Sequence, residues 1–227
     1  NQMALKNDRA LGFNAALSYS RGFSYFDDGQ YGQYRYETLD DTKEVTDRKG
    51  EEDVKVSALL NLNYKIHYNH KIGLRGLRNQ SGLKVGRYRE GSFNYESPET
   101  YIQERIVGYL ERNFNSGQLH GKHVFPIKNE KKITLTWLSS YTYMIQNEPD
   151  ARFFTNLYEN PSEDRTDADF RFKTNVAPTR VYKDLSENNF DNKLDMDIPL
   201  GKVKLTMSGN FLSKQRDGSQ EKYELKN

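Results

Sequence analysis

The sequence predicts an all-β chain of about seven or eight long antiparallel strands, part of an up-and-down transmembrane β-barrel. Three observations carry this. Apolar and polar residues alternate over long stretches, short turns alternate with long polar connections, and the 227 residues are only 35% hydrophobic although they include 16 Tyr and 12 Phe. So low an apolar content is thin for a globular core. A barrel explains it, because one residue in two on each strand faces lipid while its neighbour faces a wet lumen.

The first alternation starts at Leu11. Leu11, Phe13, Ala15, Leu17 and Tyr19 share one face, and Gly12, Asn14, Ala16, Ser18 and Ser20 share the other, which is the period of a strand. From Asp27 to Asp53, Gly29, Gly32 and Gly50 stand among acids and lysines, and the stretch reads as a long polar loop. A second strand sets Val54, Val56, Ala58, Leu60, Leu62, Tyr64 and Ile66 against Lys55, Ser57, Asn61, Asn63 and Lys65. Its length suits the roughly nine to eleven residues of a barrel-spanning strand better than the five or six of a sandwich strand. His67 to His70 makes a short turn, from which Ile72 and Leu74, opposite Gly73 and Arg75, begin the return.

Gly82 to Pro98 reads as the next long loop. Tyr101 to Phe125 follows as a long strand segment, and its apolar parity changes between Ile106, Gly108, Leu110 and Leu119, Gly121, His123, which predicts a bulge or a register change between them. Pro126 to Glu130 is a short turn before a strand with Ile133, Leu135, Trp137, Ser139, Tyr141 and Tyr143 on one face. Gln146 to about Thr179 reads as a third charged loop, with short strand extensions near Phe170 to Thr174. Phe190, Leu194, Met196 and Ile198 then alternate with Asp191, Lys193, Asp195 and Asp197, Pro199 to Lys202 turns the chain, and Val203, Leu205, Met207, Gly209 and Phe211 line the last strand. Tyr19, Tyr64, Tyr141 and Tyr143, near strand ends, suit the aromatic girdles of a membrane barrel.

No stretch approaches the roughly 18 consecutive apolar residues of a membrane helix. A formal charge of +2, from 34 basic and 32 acidic residues, gives no reason to expect a nucleic-acid partner. The absence of Cys removes disulfide scaffolds and cysteine-based metal or nucleophile sites. Neither a Gly-x-Ser-x-Gly elbow, nor a phosphate-cradling glycine loop ending in Lys, nor a His-Glu-x-x-His helix occurs, so no enzyme, no catalytic residue and no cofactor is expected. His67-x-x-His70 and His120-x-x-His123 have the look of ligand pairs. Within one strand, however, a three-residue spacing puts His120 and His123 on opposite faces, and no metal site is assigned.

The candidate ligand contacts are charged residues in the expected loops: Arg87 and Arg89 in the second, and Glu148, Asp150 and Arg152 where the Trp137 strand enters the third. Each also has a plainer role, in which Pro149 and Asp150 shape a turn and Arg152 pairs locally. Lys55, Asn61, Asn63, Arg75, Asp195 and Lys204 face the expected lumen.

Several segments resemble the barrel of TonB-dependent outer-membrane receptors of the Bacteroidetes type. They are Arg9-Ala10-Leu11-Gly12-Phe13 with Ala16-Leu17-Ser18-Tyr19-Ser20, Asn61-Leu62-Asn63-Tyr64-Lys65 with Asn69-His70-Lys71-Ile72, Ser116-Gly117-Gln118-Leu119-His120-Gly121-Lys122-His123, Asn147-Glu148-Pro149-Asp150-Ala151-Arg152, and Ile198-Pro199-Leu200-Gly201. The resemblance implies that residues 1–227 belong to a single outer-membrane barrel domain, as the N-terminal half of its barrel, without the plug and the C-terminal strands. It implies uptake of a siderophore, cobalamin or glycan ligand across the bacterial outer membrane. Its implied partners are membrane lipid, the plug and remaining strands, the TonB system reached through the missing N-terminal part, and a surface lipoprotein. The alternative from another class is a soluble all-β carbohydrate-binding module, with the alternating faces packed as a sandwich.

Overall fold

A computed structural model describes residues 2–5, 9–34, 41–93, 100–128, 131–159, 169–171 and 177–225. They form strands β1 (Gln2–Ala4), β2 (Ala10–Tyr34), β3 (Asp41–His67), β4 (His70–Phe93), β5 (Thr100–Pro126), β6 (Lys132–Glu159), β7 (Asp169–Arg171), β8 (Thr179–Leu200) and β9 (Val203–Glu224). All lie in one antiparallel sheet in the order β1-β2-β3-β4-β5-β6-β8-β9, with β7 beside the far end of β6. Seven long strands thus run up and down in chain order. Among the described residues the sheet is open: β9 pairs with β8 alone, and the outer edge of β2 meets the three residues of β1.

The ladder register explains the alternation. One row reads Leu11, Tyr64, Ile72, Gly121, Trp137, Leu194, Gly209 from β2 to β9, and the row two residues on reads Phe13, Leu62, Leu74, Leu119, Ser139, Asn192, Phe211. Between them runs Gly12, Asn63, Gly73, His120, Leu138, Lys193, Asn210. Successive rows point to opposite faces, so one face is apolar and the other mainly polar. A slip of one residue between any two strands would exchange them. The apolar face is uncovered: Leu17 is 80% exposed and Phe211 61%.

The apolar band is slanted. On β2 it runs from Leu11 to Tyr19 and on β9 from Val203 to Phe211, yet Phe211 stands in register with Phe13 and Gly209 with Leu11. Both margins therefore drop by about six residues in six strand-to-strand steps; with about 3.3 Å of rise per residue and strands about 4.8 Å apart, the slope is about 35° from the hydrogen-bond direction.

Two of the three short turns fall as expected, and the third, Pro126 to Glu130, includes residues 129 and 130, which lie outside the described residues. Tyr68–Asn69 joins β3 to β4, and Gly201–Lys202 joins β8 to β9, with Gly201 at φ +66, a conformation that glycine adopts without strain. The long polar stretches do not. β2 continues through Tyr34 and β3 begins at Asp41, β4 continues through Phe93, and β6 continues through Glu159, so most of Asp27–Asp53, Gly82–Pro98 and Gln146–Thr179 is strand. The sequence extensions near Phe170 correspond to β7, while residues 172–176 lie outside the described residues. These far halves lack a period of two in hydropathy because both faces carry charges, and pairing there is written in ion pairs instead.

The bulge expected within Tyr101–Phe125 is also relocated. β5 pairs with β4 without a shift from Ser92–Tyr101 to His70–His123. The extra residue sits on β6 between Glu148 and Ala151, where Pro149 cannot donate to the ladder. The parity change on β5 has a different cause: in the far half the buried apolar residues are on the other face. Tyr31, Val45, Gly91, Ile102 and Leu157 form one cross-strand row, and Val45, Ile102 and Leu157 are buried with Tyr31 packed against them. Val45 is 2% exposed.

Gly121 provides a test of the near half. A Cβ there would stand 2.3 Å from Nε1 of Trp137, its cross-strand partner, whereas one at Gly117 would meet open space. Gly121→Ala is expected to displace the indole and cost about 1–3 kcal/mol, while Gly117→Ala leaves the thermal midpoint unchanged or raises it. Circular dichroism melts of the chain in detergent micelles check both.

Candidate functional site

Beyond the apolar band, basic and acidic side chains pair across neighbouring strands. On the apolar-band face Arg21 donates to Glu52 through Nε at 2.8 Å, and Lys84 approaches the same carboxylate at 3.4 Å. Arg48 and Arg105 flank the Tyr88 ring at 5.8 and 5.9 Å, and the Tyr88 hydroxyl donates to Glu90 at 2.8 Å. On the opposite face Glu187, 5% exposed, is held by Lys214 at 3.0 Å and by Arg216, whose Nε donates at 2.6 Å.

All five candidate residues lie in strands rather than loops, and the structure divides them into separate groups. Arg87 and Arg89 are on β4, on the face opposite the apolar band. Arg87 grips Asp47 with two hydrogen bonds, the Nε one at 2.8 Å. Arg89 pairs with Glu104 at 2.9 Å and lies 4.8 Å from the Tyr31 ring centroid. Glu148 is on β6 and accepts from Lys183 at 3.1 Å. Asp150 and Arg152 do come together at the β6 bulge. Asp150 accepts two hydrogen bonds from Arg180, both at 2.8 Å, and one from Arg152 Nε at 2.7 Å.

Asp150 and Arg152 line an open trough of about 770 Å³ that also takes in Phe23, Tyr25, Lys84 and Tyr109. Phe23 and Tyr25 are each 70% exposed, so the trough offers aromatic faces beside charged hydrogen-bonding groups. That combination can bind a polar ligand by stacking and hydrogen bonding. Arg180, which organises Asp150, gives no signal in the sequence, because the contact needs the β6–β8 register. The charges are firmly set. Arg180, and then Arg152, hold the Asp150 carboxyl far below the ordinary carboxylate range. The hydrogen bonds from Arg87 likewise lower Asp47, and the same contact raises Arg87.

A second cluster lies at the turn end of the apolar face. His70 and His123, direct cross-strand partners, have Nδ1 atoms 3.1 Å apart, and Trp137 Nε1 donates to His123 Nε2 at 3.0 Å. Because Nε2 accepts, neutral His123 carries its proton on Nδ1 and donates it to His70. His123 therefore presents no free lone pair towards His70. His120 points to the other face, over Gly73. The pairing of His70 with His123 is invisible to a spacing rule applied along one strand.

None of the protein-family models compared with the chain matches it, and none of the curated proteins does.

Asp47 is 4% exposed and its carboxyl titrates below its ordinary value, so the unfolded chain takes up its proton first as pH falls. The stability from this group is complete above about pH 4 and is lost as pH falls through the depressed folded-state value. Asp47→Ala, which leaves Arg87 unpaired, is expected to cost about 3 kcal/mol at neutral pH and to flatten the acid limb of the stability curve. Denaturant titrations of both proteins between about pH 2 and 7 read the two effects.

Proposed function

We propose that this chain forms part of the wall of an outer-membrane receptor barrel of the TonB-dependent type, which takes up a ligand such as a siderophore, cobalamin or glycan. The observation that carries the reading is the slanted apolar band. About nine residues of strand, inclined at about 35°, span about the 25 Å height of a barrel's lipid-facing surface, and barrel strands tilt by about 35–45°. Beyond the band the same face carries charged side chains around Phe23, Tyr25 and Val107, and buried apolar residues appear on the opposite face, as fits a surface that leaves lipid for water. Trp137 and Phe125 near the turn margin and Tyr141 and Tyr143 near the far margin fit interfacial girdles.

The receptor type rests on the segments that resemble that family, the Glu148-Pro149-Asp150-Ala151-Arg152 run among them. In this reading the polar face lines the lumen towards the plug, the short turns face the periplasm, and the charged far halves stand above the membrane. Further strands complete the ladder at both open edges, and the TonB system acts through the plug-bearing part of the receptor. A sandwich would need a second sheet against the apolar face, and among the described residues there is a single sheet.

The facing is tested by two neighbouring substitutions. Leu60 lies in the band between Ala15 and Gly76, and Asn61 lies on the other face between Asn14 and Arg75. Leu60→Arg is expected to weaken folding into lipid vesicles by about 2–4 kcal/mol, and Asn61→Arg by less than about 1 kcal/mol. Equal tolerance of both, or a chain that stays soluble, monomeric and cooperatively folded without lipid, would count against the barrel.

A further inference from the structure

At the turn end of the polar face the register sets three lysines side by side: Lys65 on β3 opposes Lys71 on β4, which opposes Lys122 on β5. Like charges placed directly opposite destabilise a sheet. The surroundings relieve them only in part. The next rows on the same face are Asn63, Gly73, His120 and then Asn61, Arg75, Gln118, which add another cation and no carboxylate. Ala10 and Thr136 flank the lysines on β2 and β6. On β8, Asp195 pairs with Lys193 at 3.2 Å and Asp197 with Lys204 at 3.0 Å, and Asp197 also attracts Lys122 through space, so its charge is shared between two lysines.

The three lysines line an open cavity of about 570 Å³ together with Asn14, Asn63 and His120, and among the described residues no carboxylate contributes to its lining. His120 has a buried Nδ1 without a hydrogen-bond partner. Three ammonium groups on flexible stems, amide donors and an unsatisfied imidazole nitrogen are a complementary set for oxyanions. The volume is within the usual range for a small-molecule site.

We propose that this cavity binds a small ligand bearing two or more anionic oxygen groups, carboxylate or phosphate. The ligand's charges take the place of the acidic cross-strand partners that the lysine row lacks. The site stands on register and charge alone and does not depend on which surface of the sheet meets lipid.

The test is calorimetric titration of the whole chain, folded in detergent micelles at low ionic strength, with citrate and separately with pyrophosphate. At least one is expected to bind with a sub-millimolar dissociation constant, to raise the thermal midpoint, and to weaken as salt screens the lysines. The preference between the two identifies carboxylate or phosphate as the cognate group. Lys71→Gln combined with Lys122→Gln is expected to weaken binding about tenfold or more, and Arg21→Gln, on the other face, to leave it unchanged. Lys71→Glu is expected to abolish binding and to raise the midpoint of the ligand-free chain, which also shows that this variant folds. Binding of neither anion, or binding that the lysine changes do not alter, overturns the proposal. So does an oligoglutamate peptide that binds about tenfold more tightly than both anions, which assigns the row to an acidic polypeptide. Failure of Leu60→Arg and Asn61→Arg to differ in vesicles would overturn the barrel facing without touching this result.

Discussion

Antiparallel backbone pairing, unbroken between Ala10–Lys65 and Phe26–Lys49 and over comparable runs between the other long strands, is the constraint on which the rest depends. Each row of the ladder assigns its side chains to one face, so a single register error would bring lysines and asparagines into the apolar band. The tight connections at Tyr68–Asn69 and Gly201–Lys202 fix two of the hairpins at one end. Trp137 lying over Gly121 and His120 over Gly73 add matched pairs that no shifted register would reproduce.

The two halves of the ladder are held by different forces. Near the turns, alternation supplies a face that gains by leaving water, about 25 cal/mol for each Å² removed. In the far half the gain is smaller per contact, because exposed ion pairs contribute about 0–1 kcal/mol each. Order there rests on the backbone bonds, on the half-buried Asp47–Arg87 pair and on the row from Tyr31 to Leu157. The bulges at Asp27–Asp28 and at Pro149–Asp150 lie beyond the apolar band, where a local change of facing no longer places a charge among apolar neighbours.

This division decides what the sequence reveals. Val56, Ala58, Leu60 and Leu62 alternate with polar neighbours apart from Leu59, so the near halves and the turns between them are legible. Asp41 to Asp53 has Val45 as its one large apolar residue, and the same charges that make it look like a loop are its cross-strand partners once Arg87 is known to lie across from it. A contact such as Asp47–Arg87 spans 40 residues of sequence and becomes visible only with the register. The candidate residues at the β6 bulge were found through their Pro and their charges. Arg180, which binds Asp150 twice, carries no local signal. The lysine row shows the same limit: Lys65, Lys71 and Lys122 are unremarkable singly and become a feature only when three strands are aligned.

The directions of the edge strands limit how the sheet can be completed. β2 and β9 both run away from the short-turn end, since five long strands separate them and each reverses the last. Joining them directly would make a parallel pair, out of keeping with every other pairing in the sheet. For a barrel on the proposed plan, an odd number of additional strands must lie between the two edges, which makes the total even, as in bacterial single-chain outer-membrane barrels. The slant of the band bears on the same point. A margin that drops by about one residue per strand reflects strand tilt, and a barrel closes only where that tilt and the accumulated stagger between first and last strands agree. On the proposed plan, the edge of β9 and the outer edge of β2 are the places where the same ladder, tilt and alternation would be continued.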